Sequence, residues 1–315
     1  MSEEHVIAID LGGTKIAGAI ADREGGLSLP SRVDTPSRDG GAAVVGAINS
    51  LVARLLASAK AAGVGTIVGI GIGSAGVVDT TGRRIVASTD AILGWIGTEV
   101  ADMVEAETGL PATLENDVNA HLRGEVWKGA GAGKRDAVMM ALGTGIGGAI
   151  MVGGEILVGP HGTAGDFGHL PTFLPTARAC TCGRTVPHLE AVASGPGLFT
   201  WYLERGGDPA VGGARELERL AQSGDALAAE TYAKVGAETG RALGSIVNVV
   251  DPEVVIVGGG LANSGELWWG PLRAAYREQL VDALQDVPLV KATLGNQAAL
   301  VGATKKIWNR LNGKK

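Results

Sequence analysis

The chain has 315 residues and a formal net charge of −6, which argues against a general nucleic-acid binder because such proteins present a basic face. Hydrophobic residues make up 45% and charged residues 19%, so there is material for a core and an intrinsically disordered chain is excluded. Glycine is unusually common, at 51 residues, but the 12 prolines and the lack of a Gly-X-Y period exclude collagen and a Pro/Gly linker protein.

The first residues and the cysteines indicate a compartment. Residues 1–5 are acidic and lack the basic and apolar regions of a secretory signal. No apolar stretch of about 18 residues is free of glycine runs and polar breaks, so the sequence predicts no membrane span. Cys180 and Cys182 are one residue apart, across which a disulfide is strained, and a cytosolic protein keeps both thiols reduced. We therefore expect a cytoplasmic enzyme.

Three apolar segments that run into glycines organise the chain. Residues 6–20 and 137–150 each show a strand, a tight glycine turn and a second strand, which predicts an internal repeat of two similar domains. Residues 254–261 form a third strand and turn. The intervening alanine-rich stretches predict helices at 42–62, 118–128, 225–250 and 271–285. Strands that alternate with helices indicate an α/β protein.

The first glycine turn contains groups that bind phosphate. Gly12 and Gly13 expose backbone N–H groups without an obstructing Cβ, and Thr14 and Lys15 add a hydroxyl and a charge. Asp10, at the end of the preceding strand, could hold Mg²⁺ through water. A plain hairpin turn explains the same residues equally well.

Two segments, 71–76 and 143–148, match the G-x-G-x-x-G pattern of dinucleotide-binding loops. In that fingerprint the glycines open a helix. Here strand and turn residues follow each segment, so the pattern disfavours a nicotinamide-dependent dehydrogenase.

Asp117 lies between an apolar run and a predicted helix. An aspartate at this position is a good N-cap for the helix. A carboxylate at a strand-to-helix junction is also well placed to take a proton from a substrate hydroxyl. The two roles are compatible, and both interpretations stay open.

The segment from His161 to Glu190 concentrates three of the five histidines and both cysteines. Such a cluster in a cytosolic protein predicts a structural zinc site of Cys₂His₂ type. The expected ligands are His169, Cys180, Cys182 and His188. The alternative is two buried thiols and solvent-exposed imidazoles.

Taken in order, these motifs resemble the ROK family (repressors, open reading frames and kinases) of sugar kinases in the actin-like ATPase superfamily, from about residue 6 to about residue 305. The matching segments are 10–15, 115–117, 143–148, 168–169, 180–183, 189–190, 193–195 and 258–260. The resemblance implies an α/β fold of two actin-like (ribonuclease H-like) domains with an inter-domain cleft. The first domain is expected over 1–117 plus 297–315, and the second, with a zinc-loop insertion, over 118–296.

The resemblance also implies an ATP-dependent kinase that acts on the C6 hydroxyl of a hexose or N-acetylhexosamine. Asp117 is implied to be the general base that accepts the proton of this hydroxyl as it attacks the γ-phosphate. The implied sugar contacts are Gly76, Asp90, Asn116, Asp166, His169 and Glu190. The implied nucleotide contacts, with Mg²⁺ bridging the phosphates, are Asp10, Gly12, Gly13, Thr14, Lys15, Gly143, Thr144, Gly145, Gly259 and Gly260. The zinc would anchor the loop that carries His169 and Glu190.

Three positions depart from the usual motifs of the family. His188 stands where a third cysteine is expected, in a segment one residue longer, and histidine also ligates zinc. Asp166 stands where the family usually has a glutamate, near the C1 and C2 hydroxyls of the sugar. This replacement favours N-acetylmannosamine or N-acetylglucosamine slightly over glucose. Asp90 stands in for the asparagine that precedes Gly-Trp and is expected at the C3 or C4 hydroxyl.

Other functions within the family are less compatible with this sequence. The repressors have a helix-turn-helix ahead of the first phosphate loop, whereas the strand of that loop starts here at Val6, so we expect no nucleic-acid partner. A glucose or mannose kinase that uses polyphosphate is expected to show a basic groove, which the composition does not indicate. A non-catalytic sugar-binding protein has no need of Asp117 and two phosphate loops. The expected partners are a sugar and ATP, with no membrane, and the family commonly forms homodimers.

Overall fold

The computed structural model describes residues 3–313, which form two compact units. The first unit contains the chain up to Gly133, Ile156–Ala164 and the chain from Thr293 onward. The second unit contains Lys134–Glu155 and Gly165–Ala292.

The first unit begins with alternating strands and helices. Its elements up to Gly133 are β1 (Glu4–Leu11), β2 (Lys15–Ala21), β3 (Leu27–Asp34), α1 (Gly41–Ala61), β4 (Thr66–Ser74), β5 (Val77–Val78), β6 (Ile85–Ala87), α2 (Val100–Thr108), β7 (Ala112–Asn116) and α3 (Asp117–Lys128). The sheet order is β3-β2-β1-β4-β7, with β1 antiparallel to β2, β2 antiparallel to β3, and β1, β4 and β7 parallel. Strands β5 and β6 pair separately as a small antiparallel ribbon.

The second unit repeats this arrangement. Its elements are β8 (Ala137–Leu142), β9 (Ile146–Val152), β10 (Glu155–Ile156), α4 (Leu189–Ala193), α5 (Gly195–Glu204), α6 (Ala214–Gln222), α7 (Ala226–Val250), β11 (Val254–Gly258), α8 (Glu266–Gln279) and β12 (Leu289–Lys291). The sheet order is β10-β9-β8-β11-β12, with β8 antiparallel to β9 and parallel to β11, which is parallel to β12. The repeat predicted from the two glycine turns is therefore a repeat of topology.

The last helix, α9 (Ala298–Leu311), belongs to the first unit and packs on α3 and on the sheet. Successive residues of β1 point to opposite faces of the sheet. Ile7 and Ile9 are fully buried in the cluster that includes α1, whereas Val6 is buried with Ile307 and Trp308 of α9. Both faces of this sheet are covered, which explains the continuous apolar character of β1.

The position of α3 differs from the expected domain boundary. The sequence places the boundary after Asp117, but the structure keeps the chain up to Gly133 in the first unit. The reason is that α3 and α9 cross at glycines. A Cβ at Gly302 would lie 1.8 Å from the Ala120 carbonyl oxygen, and one at Gly124 would lie 2.2 Å from that of Ala298.

Helix α1 is the one helix of residues 3–313 that is long and apolar enough, by length and composition, to cross a membrane. Eight of its residues are buried, and it packs against β2 and β3 within the first unit. A core helix of a folded unit has the same properties.

The predicted helices are confirmed at 42–62, 118–128 and 225–250, each within a residue or two of the observed bounds. The helix predicted at 271–285 begins earlier, at Glu266, and ends at Gln279, with Pro271 inside it.

A second pair of helices also packs closely at glycines, because Gly236 and Gly240 of α7 contact the backbone of α8. A Cβ at these positions would lie 2.4 Å from the Trp268 carbonyl oxygen and 2.2 Å from that of Leu272.

We predict that Gly302→Ala lowers the free energy of unfolding by about 1–3 kcal/mol, because the added methyl group must displace the backbone of α3. The matched control is Gly46→Ala in α1, where a Cβ meets nothing within 4 Å. It should raise the free energy of unfolding by about 0.5–1 kcal/mol through helix propensity. Urea unfolding followed by circular dichroism measures both, and equal effects of the two variants would contradict the packing argument.

Candidate functional site

The parallel strands of the first unit end at one edge of their sheet. Asp10 of β1 is opposite Gly73 of β4, and Ser74 of β4 is opposite Asn116 of β7. In an open α/β sheet the crevice outside the carboxyl ends of the strands is where ligands bind. Asp10 and Asp117, which are distant in sequence, are therefore brought to the same edge.

Asn116, and not Asp117, caps α3. Its Oδ1 accepts hydrogen bonds from Val118 N at 2.9 Å and Asn119 N at 3.2 Å. Its Nδ2 donates to Gly76 O at 3.1 Å and to Asp117 Oδ1 at 3.0 Å. An amide has two hydrogens and two acceptor positions, and all four are used here. The N-cap interpretation of Asp117 is wrong, since Asp117 is the first residue of the helix.

The Asp117 carboxylate is held by one oxygen only. Oδ1 accepts from Val118 N at 2.9 Å and from Asn116 Nδ2, while no other residue within 3–313 donates a hydrogen bond to Oδ2. Burial, assisted by the nearby Asp10 and opposed by His121, raises the pKa of Asp117 to about 6. The group is therefore an oriented carboxylate that changes protonation near neutral pH.

His121 was not predicted as a site residue. It follows Asp117 by one helical turn, a spacing that places the two side chains on one face of α3. Its Nδ1 is buried without a hydrogen-bond partner among the described residues. Burial raises the pKa of Asp10, while the proximity of His121 and Lys15 opposes that rise. The i, i+4 spacing from Asp117 was the signal that could have found this residue.

The first glycine turn is a β-hairpin between β1 and β2. Gly12 N donates to Lys15 O at 3.0 Å, and Thr35 Oγ1 donates to Gly12 O at 2.7 Å. The Gly12 N–H is thus used within the turn and is not exposed as the sequence suggested. Thr14 and Lys15 are exposed at the tip, as the phosphate interpretation requires.

The loop that carries Asp90 lies beside this hairpin. A Cβ at Gly13 would lie 3.4 Å from the Ala91 Cβ, which is ordinary van der Waals contact. Asp90 is exposed. The loop is fixed further along by Trp95, which is buried and donates from Nε1 to Ala75 O at 3.0 Å.

The second unit has a comparable turn between β8 and β9. Gly143 N donates to Gly145 O at 2.9 Å, and Thr144 is exposed at the tip. Gly195, the first residue of α5, donates from N to Gly143 O at 2.8 Å. Gly259, directly after β11, lies against the end of β8, because a Cβ at this position would lie 2.3 Å from the Leu142 carbonyl oxygen. Its φ of 82° also favours glycine.

Glu190 of α4 is buried and faces this turn. Its Oε2 accepts from Ile146 N at 2.8 Å, and its Oε1 accepts from Thr181 Oγ1. A Cβ at Gly145 would lie 2.6 Å from Oε2, so glycine is required where the carboxylate approaches the backbone. Thr181 was not singled out from the sequence, where only the flanking cysteines carried a signal.

The predicted zinc ligands come together in the second unit. The ligand atoms of His169, Cys180 and Cys182 lie within 4.8 Å of one another. His188 adjoins them, with its Nδ1 3.4 Å from Cys182 Sγ and its ring stacked on that of His169 at 5.1 Å. Tetrahedral zinc separates a sulfur and a nitrogen ligand by about 3.5 Å, so these donors fit that ion.

Other features of this loop refine the sequence interpretation. Cys182 is exposed, so the alternative of two buried thiols is wrong. Burial raises the pKa of the Cys180 thiol. Asp166 Oδ1 lies 3.8 Å from His169 Nδ1, and both side chains are partly exposed.

Arg178 secures the other end of the loop and had no sequence signal. Its Nη1 donates to Glu190 O at 3.2 Å, Ala191 O at 3.3 Å and Ser194 Oγ at 3.3 Å. These contacts attach the loop to the junction of α4 and α5 without involving the Glu190 carboxylate.

Comparison with known proteins decides the family. The model of the ROK family matches residues 6–309, which include every residue of the candidate site. The chain belongs to the ROK family. The resemblance found in the sequence is confirmed.

Relatives in the ROK family match along nearly the whole chain. A glucokinase of Streptomyces coelicolor is 34% identical over 94% of this chain and 95% of its own. An N-acetylmannosamine kinase of Escherichia coli O1:K1 is 30% identical over 94% of this chain and 96% of its own.

Two solved structures of ROK proteins are similar in fold. A ROK hexokinase from Thermus thermophilus has a TM-score of 0.86 and 35% identity, covering 98% of this chain and 99% of its own. A ROK family glucokinase from Streptomyces griseus, in complex with glucose and AMPPNP, has a TM-score of 0.78 and 32% identity, covering 96% and 98%. The predicted fold class, α/β with two actin-like domains, is confirmed.

We predict that Asp117→Asn stabilises this ROK protein at pH 8. The pKa of Asp117 is about 6 in the folded state against 3.8 ordinarily, so folding favours the protonated form and stability is lost as the pH rises through about 6. Removing the charge should raise the free energy of unfolding at pH 8 by about 1–3 kcal/mol, and the gain should vanish below about pH 4.

The control for this stability measurement is Glu115→Gln. Glu115 is buried and ion-paired with Arg123 at 3.2 Å, so neutralising it leaves a buried cation without its partner. Denaturant unfolding at both pH values should show a loss of stability for Glu115→Gln. A pH-independent gain for Asp117→Asn would contradict the raised pKa.

Proposed function

We propose that this ROK protein is an ATP-dependent sugar kinase that transfers the γ-phosphate to the C6 hydroxyl of a hexose. The observation that carries the proposal is the Asp117 carboxylate, with Oδ1 held by two hydrogen bonds, Oδ2 without one from any other residue within 3–313, and a pKa of about 6. The names of the relatives, glucokinase and N-acetylmannosamine kinase, support the same activity.

Asp117 acts as the general base. At neutral pH the carboxylate is mostly ionised, and a base with a pKa near the working pH is efficient. Oδ2 accepts the proton of the sugar hydroxyl as its oxygen forms a bond to the γ-phosphorus. The bond between that phosphorus and the bridging oxygen breaks, and ADP leaves. Asn116 keeps Oδ1 fixed, so that Oδ2 is the oxygen presented to the substrate.

The two glycine turns bind the phosphates. The exposed Thr14 and Lys15 of one turn and the exposed Thr144 of the other supply hydroxyl groups and a positive charge. Gly259 and Gly260 let the nucleotide approach backbone. Asp10 is the residue that would hold hydrated Mg²⁺. The buried Nδ1 of the nearby His121 has no hydrogen-bond partner within residues 3–313, and a water of the hydrated ion would satisfy it. Mg²⁺ neutralises charge on the phosphates when bound.

The sugar is bound by the polar side chains predicted for it. Asp90 and Asp166 are exposed, and Asp166 lies 3.8 Å from His169 Nδ1. His169 and Glu190 belong to the cysteine loop and its neighbour α4. Asn116 Nδ2 donates to the Gly76 carbonyl, so these two groups are already hydrogen-bonded to each other. Their role in sugar binding is to hold Asp117 in position.

Two sugars are favoured by different observations. The higher identity of the Streptomyces coelicolor glucokinase favours glucose. Asp166, in place of the usual glutamate, favours an N-acetylhexosamine such as N-acetylmannosamine. We propose glucose as the first substrate to test and N-acetylmannosamine as the second.

The proposed substrates and the cysteines indicate the compartment in which the enzyme works. ATP and free sugar meet in the cytoplasm, and both cysteines are present as thiols, as that compartment maintains. We propose a cytoplasmic enzyme, with the homodimer common in the family as its assembly.

We predict that the purified protein phosphorylates glucose, N-acetylmannosamine or both with ATP in a coupled ADP-release assay over common hexoses and N-acetylhexosamines. Asp117→Asn should lower kcat by about 10²–10⁴-fold, as expected for loss of a general base, with sugar binding retained. In the wild type, kcat/KM should fall below about pH 6 as Asp117 becomes protonated. Undiminished turnover by Asp117→Asn would exclude its role as base. Sugar binding without turnover in the wild type would favour a non-catalytic sugar-binding protein. Activity with polyphosphate but not with ATP would show that polyphosphate, and not ATP, is the phosphoryl donor.

We also propose that His169, Cys180, Cys182 and His188 hold a structural zinc ion. The prediction is about one zinc per chain by metal analysis. Cys182→Ser and His188→Ala should each lower the zinc content. His161→Ala is the matched control and should retain zinc, because the exposed His161 is not one of the clustered ligand residues. Zinc retained by Cys182→Ser would exclude this ligand set.

A further inference from the structure

The Glu190 carboxylate is buried without a cation. The residue is only 6% exposed, and no lysine, arginine or histidine within residues 3–313 pairs with its carboxylate. A buried charge without a partner is costly unless hydrogen bonds satisfy it. Its two acceptor contacts, from Thr181 Oγ1 and Ile146 N, therefore determine where the carboxylate stays.

The two contacts come from different segments. Ile146 N is the first amide of β9, directly after the turn that contains Gly143 and Gly145. Thr181 lies between the two cysteines, on a loop in which residues 181–187 are all exposed. Within residues 3–313 its hydroxyl makes this one hydrogen bond, so the loop reaches the Glu190 carboxylate through a single side-chain atom, while Arg178 binds only the Glu190 backbone carbonyl.

The approach on the turn side is close and specific. A Cβ at Gly145 would lie 2.6 Å from Glu190 Oε2. If the carboxylate rotated away, the Ile146 N–H would lose its side-chain acceptor. The position of the carboxylate and the shape of the turn therefore depend on each other.

We propose that Thr181 is a positioning residue, whose hydroxyl holds the Glu190 carboxylate against the turn at Gly143–Gly145 and so couples the cysteine loop to that turn. The functional part of this inference rests on the proposed kinase activity, in which Glu190 binds sugar. The structural part does not depend on that activity.

The test uses three full-length variants. Thr181→Val keeps the shape of the side chain and removes the hydroxyl. Thr181→Ser restores a hydroxyl. Thr185→Val is the matched control. It makes the same change at an exposed threonine of the same loop whose hydroxyl has no hydrogen bond to residues 3–313.

The first readout is amide hydrogen exchange of the segment 143–150, which needs no substrate. Thr181→Val should speed exchange at Ile146, while Thr181→Ser and Thr185→Val should match the wild type. Unchanged exchange in Thr181→Val would overturn the proposal. So would loss of zinc from Thr181→Val alone, because the effect would then come from collapse of the loop.

The second readout is steady-state kinetics. Loss of a hydrogen bond to a charged group should raise the KM for the sugar by about 10- to 100-fold in Thr181→Val, with kcat close to that of the wild type and recovery in Thr181→Ser. A 10- to 100-fold fall in kcat with an unchanged KM in Thr181→Val would overturn the positioning role. Absence of turnover in the wild type would instead refute the proposed function, and the exchange result would still decide the structural link.

Discussion

The Asn116 side chain joins three parts of the first unit at the carboxyl edge of its sheet. It caps α3, binds the backbone after β4 through Gly76, and holds one oxygen of Asp117. The cap uses Oδ1 and the other two contacts use the two hydrogens of Nδ2, so displacement of the amide would release all of them together. The orientation of Asp117, and with it the proposed proton transfer, depends on this single side chain.

The carboxylates of Asp117 in the first unit and Glu190 in the second unit are stabilised in different ways. Asp117 has one oxygen without a hydrogen-bond donor from any other residue within 3–313, and burial raises its pKa to about 6. Glu190 has both oxygens bound to donors from two different segments. A carboxylate with an open oxygen is suited to accept a proton, whereas one with both oxygens bound is suited to hold a fixed position.

Much of the fold and part of the site could be predicted from the sequence. Apolar runs ending in glycines located β1, β8 and β11, and the cysteine and histidine spacing pointed to His169, Cys180 and Cys182, whose side chains cluster in the second unit. The prediction failed where the partner was distant in the chain. The cap of α3 is held by the bond from Asn116 Nδ2 to Gly76 O, and His121 acts on Asp10 of β1 as well as on Asp117.

The glycines also divide into those that could be placed from the sequence and those that could not. The sequence by itself determined that glycines occupy turns after apolar strands, because strand and turn signals are local. Only the tertiary structure decided that Gly124, Gly302, Gly236 and Gly240 are needed where helices cross, since the atoms that a Cβ would meet belong to another helix. It likewise decided that α3 joins the first unit and that Thr181 reaches Glu190. Such contacts join residues that no local pattern relates, and packing alone brings them together.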